Sequence, residues 1–238
     1  MENLFFTNTM ITTLLMLLFI TVFIVYIIRK GLQANKADWE HPVVNCIDGW
    51  MRIYCRRFQR LNYDKLDIPE QGSVLIVCNH VSGLDPLVLL TACERPLRFM
   101  IAAEEYHRPV LHSLFRLLGC IPVERKGKPE VAFRKTIQKL KDGEAVALYP
   151  HGGIHTDDEV HKPIKKGVLK LAAMTNSEIL PTRLTGIRRE GHSFSPLFLR
   201  GNVRLQVFDR LPANYIEKEG AAKDLGDLLL GKISSIEN

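Results

Sequence analysis

The chain has 238 residues, of which 46% are hydrophobic, and this suits one catalytic domain of ordinary size with a small attachment. Its formal net charge of +6 favours an anionic partner, either nucleic acid or the acidic face of a membrane. The 5 cysteines are scattered and form no C-x-x-C pair, which argues against a disulfide framework and a cysteine-rich zinc site and predicts reduced thiols in the core.

The N-terminal segment predicts a transmembrane helix. Between residues 4 and 28 the chain carries no charged side chain, over a length close to the roughly 20 residues that a bilayer span requires. A secretory signal peptide is the alternative, but its basic n-region and small-residue cleavage site are missing. Basic residues follow the span, so the positive-inside rule predicts a single-pass membrane anchor over residues 1–30, with the catalytic part on the cytoplasmic side.

The next segment, residues 31–69, predicts an amphipathic helix, because aromatic and basic residues alternate at helical spacing between positions 37 and 61. Such a helix can lie in the headgroup layer, with tryptophan at the interface and arginine on lipid phosphates. It can equally pack on the catalytic domain, and both interpretations stay open. No nucleic-acid-binding motif accompanies the arginines, so we expect no nucleic-acid partner.

From residue 70 onward, short apolar segments alternate with helical ones, which predicts an α/β fold. We expect a mixed, largely parallel sheet flanked by helices in a catalytic domain over residues 70–215, followed by a C-terminal helix and tail over 216–238. The predicted strands are 73–78, 97–102, 120–124, 145–149, 179–185 and 203–208. The predicted helices are 86–92, 111–117, 130–140, 166–174 and 221–230.

The end of the first of these strands indicates a general base. His80 closes the run Cys78-Asn79-His80, and Asp85 follows within about one helical turn. A histidine whose tautomer is fixed by a carboxylate can take a proton from a bound hydroxyl, so no serine or cysteine nucleophile is needed. The spacing alone arises by chance in many chains, and its structural alternative is a strand-end histidine merely capped by a carboxylate.

Further motifs follow the later strands in a fixed order. They are Gly119-x5-Arg125, then Tyr149-Pro150-His151-Gly152-Gly153, then Lys165-Lys166-Gly167, then Pro181. With this order and context, the chain resembles the phospholipid and glycerol acyltransferase family over about residues 70–185. The best-known members of that family are the H-x4-D enzymes that acylate 1-acylglycerol 3-phosphate.

The resemblance implies roles for the matching residues. His80 would be the general base and Asp85 the group that orients its imidazole. Gly119 and Arg125 match the second family motif, whose arginine helps to hold the phosphate of the acceptor, although an arginine paired with a nearby carboxylate is the alternative. Lys165 and Lys166 resemble a basic step before a helix, where an anion can bind. Pro181 matches a proline that shapes the acyl-donor side of the site, and a turn-flanking proline is its alternative.

The third motif departs from the family pattern. Where the family reads Phe/Tyr-Pro-Glu-Gly-Thr-Arg, this chain has His151, Gly152 and Gly153 after Tyr149-Pro150. The glutamate, threonine and arginine belong to acceptor recognition, so the departure concerns the acceptor more than the reaction, and His151, Gly152 and Gly153 remain candidates for acceptor binding. His155 stands four residues after His151, but the intervening glycines argue against a helical metal pair, and we predict no metal site.

The resemblance therefore implies an O-acyltransferase of phospholipid biosynthesis, which moves a fatty acyl group from acyl-coenzyme A or acyl carrier protein to the hydroxyl of a lysophospholipid. The first candidate acceptor is 1-acyl-sn-glycerol 3-phosphate, giving phosphatidate. No cofactor is expected beyond the thioester co-substrate, and the expected partners are the lipid bilayer, the lysophospholipid and the thioester carrier. Two alternatives remain. They are an acyltransferase for another lysolipid or a non-phosphate lipid, and a non-catalytic lipid-binding or metal-dependent relative.

Overall fold

The structure of the protein, a computed structural model, describes residues 2–109, 111–124, 127, 129–156 and 163–236. Its described residues form a seven-stranded sheet with the order β1-β7-β6-β2-β5-β3-β4. The strands are β1 (Asn62–Tyr63), β2 (Val74–Cys78), β3 (Leu97–Ala102), β4 (Ile121–Val123), β5 (Ala145–Leu148), β6 (Glu178–Thr185) and β7 (Arg204–Val207). All neighbours pair in parallel except β6 and β7. The predicted mixed, largely parallel sheet is confirmed.

Helices cover both faces of this sheet. They are α1 (Glu2–Ala34), α2 (Pro42–Arg57), α3 (Asp85–Ala92), α4 (Ala103–Tyr106), α5 (His112–Leu117), α6 (Pro129–Lys141), α7 (Gly167–Thr175) and α8 (Ala221–Leu229), with two 3-10 turns at Ser195–Phe198 and Ala213–Glu217. The strands and helices predicted from residue 70 onward are all present, with ends that shift by no more than one residue. The predicted domain limits stay predictions.

The central strand β2 shows why the sheet is covered on both faces. All its residues are buried. Val74, Ile76 and Cys78 join the core beneath α2 and α3, whereas Leu75 and Val77 join the core beneath α6, α7 and α8. A continuous apolar strand of this kind is typical of a parallel sheet with helices on each side. His80, which follows β2, therefore starts from a rigid support.

Helix α1 contains the segment predicted to span a membrane. Within the described residues, one helix is long and apolar enough to cross a bilayer, and it covers Asn8–Ala34. Its large apolar side chains are exposed to the surroundings, among them Leu14, Phe19 and Phe23. An exposed apolar surface on an N-terminal helix agrees with membrane anchoring.

The C-terminal part of α1 packs tightly against α2. A Cβ placed on Gly49 would lie 1.7 Å from the carbonyl oxygen of Gly31, so the two backbones meet without side chains between them. The indole Nε1 of Trp50 donates to the carbonyl oxygen of Ile27 at 3.1 Å. These contacts fix the exit of α1 relative to the rest of the chain.

The other face of α2 packs on the domain, which favours the packing interpretation over a helix lying free in the headgroup layer. Arg52 is buried and forms an ion pair with Asp48 at 2.5 Å. Its guanidinium also donates to the carbonyl oxygens of Thr91 and Cys93, at 2.8 and 2.7 Å, at the end of α3. A cation at a helix C-terminus is favourable. The expectation that the arginines of this segment contact lipid phosphates is therefore wrong for Arg52.

Candidate active site

The candidate site residues that follow strands meet at one edge of the sheet. β2, β5 and β6 are parallel neighbours, so their carboxyl ends lie together. His80 follows β2, and the segment from Tyr149 to His155 follows β5. The backbone N–H of His155 donates to the carbonyl oxygen of His80 at 2.7 Å, which joins the two segments directly. The site therefore lies at the carboxyl ends of these strands, next to the central strand β2.

His80 and Asp85 form the predicted pair. The Nδ1 atom of His80 lies 2.7 Å from Oδ2 of Asp85. Because an ionised carboxylate only accepts hydrogen bonds, this contact places the proton on Nδ1 and leaves Nε2 as the basic nitrogen. No described residue forms a hydrogen bond with Nε2. The side chain of His80 is 17% exposed and that of Asp85 is fully buried, so the base reaches the surface while its partner does not.

The carboxylate is held by its own turn. Oδ2 of Asp85 also accepts hydrogen bonds from the backbone N–H groups of Val81 and Ser82, at 2.7 and 3.0 Å. Oδ1 accepts from the hydroxyl of Ser82 at 2.7 Å, and this hydroxyl in turn accepts from the N–H of Leu84 at 3.1 Å. Each lone-pair direction that faces the turn has a donor, so the carboxylate is held in position next to the imidazole.

Asn79 fixes the residue before the base to the neighbouring strand. Its side-chain oxygen accepts from the N–H of Leu184 at 2.7 Å, and its amide nitrogen donates to the carbonyl oxygen of the same residue at 2.9 Å. Asn79 is buried. This amide extends the ladder between β2 and β6 beyond the last strand pair, Cys78 with Thr182. His80 is therefore held by the sheet.

Tyr149 supports the imidazole from the side. The rings of His80 and Tyr149 are stacked with centroids 4.0 Å apart and an interplanar angle of 14°. Burial, with smaller effects from Asp85 and Cys78, raises the pKa of Tyr149 well above its usual value, so the phenol stays neutral and does not exchange protons in this site. The tyrosine acts as a flat apolar wall that limits rotation of the imidazole.

A basic residue lies against the glycines of the altered third motif. Gly152 has a φ of +76°, and a Cβ on it would lie 2.5 Å from Nζ of Lys165. The N–H of Lys165 donates to the carbonyl oxygen of Pro150 at 3.1 Å. The rings of His151 and His155 meet edge to face with centroids 5.9 Å apart. His151, Gly152 and Lys165 are therefore brought together, within the loop that contacts His80.

The remaining predicted residues of this edge have different surroundings. Lys166 is exposed and immediately precedes α7. Gly153 has open space around its α-carbon. Pro181 is buried inside β6, where it pairs with Val77, so it lies in the sheet beneath the site. Arg125 lies outside the described residues, and its role stays a prediction.

Gly119 is not brought to His80. It lies just before β4 begins, at the opposite edge of the parallel strands from the base. Its φ is +64°, and a Cβ there would approach the guanidinium of Arg98 to 2.9 Å. Arg98 forms an ion pair with Glu144, which also binds Lys139 at 2.7 Å. The physical role of this glycine is to let the chain pass closely over Arg98.

The cysteine next to the base is not a nucleophile. All 5 cysteines lie in the described part of the chain and are free thiols, as predicted. Cys78 is fully buried, and burial raises its thiol pKa far above the usual value. Among residues 2–156 and 163–236, with the gaps given above, no group of three or more His, Cys, Asp or Glu side chains is placed to hold a metal ion. The arrangement suits proton abstraction by His80 from a bound substrate.

Asn79 and Tyr149 are residues of the site to which the sequence assigned no role. Both lie within the motifs quoted above, Asn79 directly before His80 and Tyr149 directly before Pro150. Position at a strand end was the available signal. Their contacts depend on the order of β6, β2 and β5 in the sheet, which the sequence pattern does not specify.

The chain is similar to known acyltransferases. A family model described as Acyltransferase matches residues 60–185. The chain is 25% identical over 181 residues to a 1-acyl-sn-glycerol-3-phosphate acyltransferase of Bacillus subtilis, with 74% of this chain and 87% of the relative covered. It is 30% identical over 138 residues to an N-acylphosphatidylethanolamine synthase of Arabidopsis thaliana, with 54% of this chain and 48% of the relative covered.

A solved structure has the same fold. The crystal structure of the 1-acyl-sn-glycerophosphate acyltransferase PlsC from Thermotoga maritima matches with a TM-score of 0.62 and 19% sequence identity. The match covers 95% of this chain and 97% of that structure, so it includes the N-terminal helices as well as the sheet. At this identity the likeness concerns the fold.

Proposed function

The chain belongs to the acyltransferase family, and on this premise we propose that it transfers a fatty acyl group from a thioester to the free hydroxyl of 1-acyl-sn-glycerol 3-phosphate, giving phosphatidate. The observation that carries this proposal is the pair formed by His80 and Asp85 at the end of the central strand. The side chain of His80 is partly exposed, whereas the carboxylate that holds its Nδ1 is buried.

The reaction follows from this geometry. Nε2 of His80 takes the proton of the acceptor hydroxyl while the hydroxyl oxygen forms a bond to the thioester carbonyl carbon. The resulting imidazolium is stabilised by Asp85, to which it remains bonded through Nδ1. Collapse of the tetrahedral intermediate breaks the carbon–sulfur bond, and the imidazolium returns its proton to the thiolate leaving group. The acyl group thus passes directly between substrates, in agreement with the buried, unreactive thiol of Cys78.

A basic surface next to the base suits the acceptor phosphate. Lys165 lies against Gly152, in the loop that donates to the backbone of His80. Lys166 stands at the start of α7, where the N-terminal dipole also favours an anion. We assign the acceptor phosphate to Lys165, with His151, Gly152, Gly153 and Lys166 around it and Arg125 as a further cation. We assign the donor thioester to the part of the site that lies next to β6, around Pro181.

The altered third motif makes an amine acceptor the second candidate to be tested. His151 and Gly153 replace residues that the family uses for acceptor recognition, and one relative acts as an N-acylphosphatidylethanolamine synthase. The amine of such an acceptor would give its proton to the same base, His80. The presence of Lys165 beside Gly152 favours a phosphate close to the attacking group, and this supports the lysophosphatidate acceptor as the first choice.

We also propose that α1 inserts into the membrane and that the catalytic domain stays on the cytoplasmic side. The apolar exposed surface of α1 supports insertion, and the basic residues that follow it support the orientation. The acceptor and the product are both lipids, so an anchored enzyme meets them in the layer where they reside.

The test is a product analysis with the full chain in detergent or vesicles. Labelled acyl-coenzyme A and acyl carrier protein are offered with lysophosphatidate, neutral lysolipids and phosphatidylethanolamine, and the products are identified by mass. We expect phosphatidate, formed about 10²- to 10⁴-fold more slowly by the His80→Ala variant. Transfer to an amine alone would replace the first acceptor with the second, and transfer by His80→Ala at the unmodified rate would contradict the mechanism.

Arg125 provides a separate test of the acceptor side. Arg125→Ala should raise the acceptor KM much more than the donor KM, because a guanidinium that binds phosphate contributes only to acceptor binding. Equal changes in both constants would mean that Arg125 has a structural role.

A further inference from the structure

Residues 191–194, which we call the clamp segment, lie between β6 and β7 and contact the turn of the catalytic pair. The N–H of Gly191 donates to the carbonyl oxygen of Val81 at 2.8 Å, and the N–H of Gly83 donates back to a carbonyl oxygen of the clamp segment at 3.3 Å. A Cβ on Gly83 would lie 1.9 Å from the carbonyl oxygen of Ser193. The two backbones therefore touch with no side chain between them.

One peptide group joins the clamp segment to the catalytic carboxylate. The carbonyl oxygen of Val81 and the N–H of Ser82 belong to this group. Its oxygen accepts from Gly191 at 2.8 Å, and its N–H donates to Oδ2 of Asp85 at 3.0 Å. Oδ2 is also the atom that lies 2.7 Å from Nδ1 of His80. Hydrogen bonds in such a chain polarise one another, so the position of the clamp segment affects the bond between Asp85 and His80.

The last residue of the clamp segment contacts an arginine from another part of the sheet edge. Phe194 is 48% exposed, so burial holds its ring only in part. The guanidinium of Arg108 lies over this ring, with its central carbon 5.0 Å from the ring centroid. Arg108 also donates to Oε1 of Glu105 at 2.8 Å. The contact is therefore a cation–π interaction whose cation is itself held by a carboxylate.

The backbone beside Arg108 is fixed to the core. Arg108 follows α4, which begins directly after β3. Tyr106, at the end of α4, is buried, and its ring contacts those of His112 and Phe115 with centroids 5.2 and 6.2 Å apart. In the sheet, β2 and β5 lie between β3 and β6. The contact of Arg108 with the clamp segment therefore spans the part of the edge where β2 and β5 end.

We propose that Arg108 is a positioning residue for acyl transfer. Through Phe194 it holds the clamp segment against the catalytic turn, and the clamp segment holds the peptide group that donates to Asp85. This inference rests on the proposed function, in which His80 and Asp85 carry out the proton transfer. It adds to that reaction a residue that lies outside the sequence motifs of the site.

The first test measures kcat and the acceptor KM with the full chain in detergent, where the lysolipid is dispersed and no bilayer is present. Arg108→Ala should lower kcat about twofold to fivefold, which corresponds to the loss of one cation–π contact at an exposed site, and should leave the acceptor KM unchanged. Arg108→Lys keeps a cation near the ring and should retain most of the rate. A change in KM alone, or equal losses in the alanine and lysine variants, would overturn the proposal.

Variants of Phe194 test the other half of the contact. Phe194→Leu should lower kcat to the same extent as Arg108→Ala, whereas Phe194→Tyr keeps an aromatic face and should keep the rate. The double variant of Arg108→Ala and Phe194→Leu should be no slower than either single variant, because each substitution removes the same contact. Losses that multiply in the double variant would show that the two residues act separately, and they would contradict the proposal.

Direct displacement of the clamp segment should have a larger effect. Gly83→Ala places a methyl group against the carbonyl oxygen of Ser193 and should lower kcat about 10²-fold, because a displacement of about 1 Å can cost that much in rate. Gly49→Ala is the matched control, since its methyl group meets the carbonyl oxygen of Gly31 in a similar clash between α1 and α2. Both variants are assayed below their melting transitions. Similar losses of kcat in both would indicate general destabilisation and refute the role of the clamp segment.

A spectroscopic measurement reports on the catalytic pair itself. In protein with isotope-labelled histidine, the Nδ1–H resonance of His80 is identified by its absence in His80→Ala. We expect this resonance to broaden in Arg108→Ala and more so in Gly83→Ala, because the proton exchanges faster with water once its bond to Asp85 is weakened. It should stay sharp in Gly49→Ala.

An unchanged resonance in Gly83→Ala would overturn the proposal. Because the resonance needs no turnover, failure of the unmodified chain to acylate any lysolipid would refute the proposed function, and the resonance would still decide whether the clamp segment positions the pair.

Discussion

Replacement of Asp85 by asparagine removes one charge from the site and keeps the shape of the side chain. In Asp85→Asn, the amide oxygen in the place of Oδ2 still accepts from His80, Val81 and Ser82, and the amide nitrogen in the place of Oδ1 can donate to the Ser82 hydroxyl. The turn therefore keeps its contacts, although the bond to the Ser82 hydroxyl reverses its direction. We expect the free energy of unfolding to fall by about 1–3 kcal/mol, since the bonds lose the charge that strengthens them.

The loss of activity should be larger. At the observed 2.7 Å between Nδ1 and Oδ2, the attraction between imidazolium and carboxylate is about 6 kcal/mol at an effective dielectric constant near 20, and the neutral amide retains a hydrogen bond of about 1 kcal/mol. Reorganisation and nearby solvent reduce the difference to about 3–4 kcal/mol. We therefore expect kcat to fall about 10²- to 10³-fold, with less than about a threefold change in the acceptor KM, because the imidazolium forms only during proton transfer.

The assay follows thiol release from the thioester, with three comparison variants. Ser82→Ala removes a bond to the far oxygen of Asp85 without touching His80, so it should cost similar stability and less than about tenfold in rate. His80→Ala should lose about 10²- to 10⁴-fold. The double variant of His80 and Asp85 should be no slower than His80→Ala, because both residues act in one step. A further loss in the double variant, or equal losses in Ser82→Ala and Asp85→Asn, would refute the assigned role of Asp85.

Three further predictions concern support for the site and the anchor. Tyr149→Leu should lower kcat about threefold to tenfold, because the imidazole of His80 loses the ring on which it stacks. Tyr149→Phe should keep the rate, because the tyrosine hydroxyl has no hydrogen-bond partner among the described residues. Equal losses of both variants in initial-rate assays would contradict this role of the ring. Gly49→Ala should lower the free energy of unfolding by about 3 kcal/mol in thermal denaturation, against about zero for Gly153→Ala, whose new methyl group meets open space. Arg52→Ala should lower the free energy of unfolding by about 3–5 kcal/mol, because it leaves the buried carboxylate of Asp48 unpaired. Replacement of the exposed Arg57 by alanine should lower it by less than about 0.5 kcal/mol. Similar melting temperatures in both variants would contradict a structural role for the buried pair.

The strands and helices were predictable because each has a clear local period. β2 is a short apolar run and α6 an amphipathic one, and turn residues bound both. The pair of His80 and Asp85 was predictable for a related reason. A strand end and a helix start fix the distance between two residues that are close in sequence. Spacing along the chain is therefore sufficient to predict the general base without knowledge of the strand order.

Other features depend on contacts between distant parts of the chain. Arg52 resembles a surface arginine of an amphipathic helix, and its burial is possible only because carbonyl groups about 40 residues away accept its protons. Gly119 matches a family motif, yet its position is set by Arg98 across β3 and β4. The stacking of Tyr149 on His80 requires β2 and β5 to be neighbours. A sequence pattern shows which residues are present, whereas these three cases depend on which distant segments of the chain lie next to one another.

The close crossing of Gly31 and Gly49 divides α1 into two parts with different tolerance to change. From Ile27 onward, the helix is joined to α2 through the indole of Trp50 and through backbone contact, so its residues are constrained by the catalytic domain. Between residues 8 and 26 every side chain is exposed and contributes length and apolar character. A different apolar helix joined ahead of Ile27 preserves each described contact with the domain. The membrane anchor is thus an exchangeable module, and Ile27 is the junction at which chimeric enzymes suited to bilayers of other thickness can be assembled.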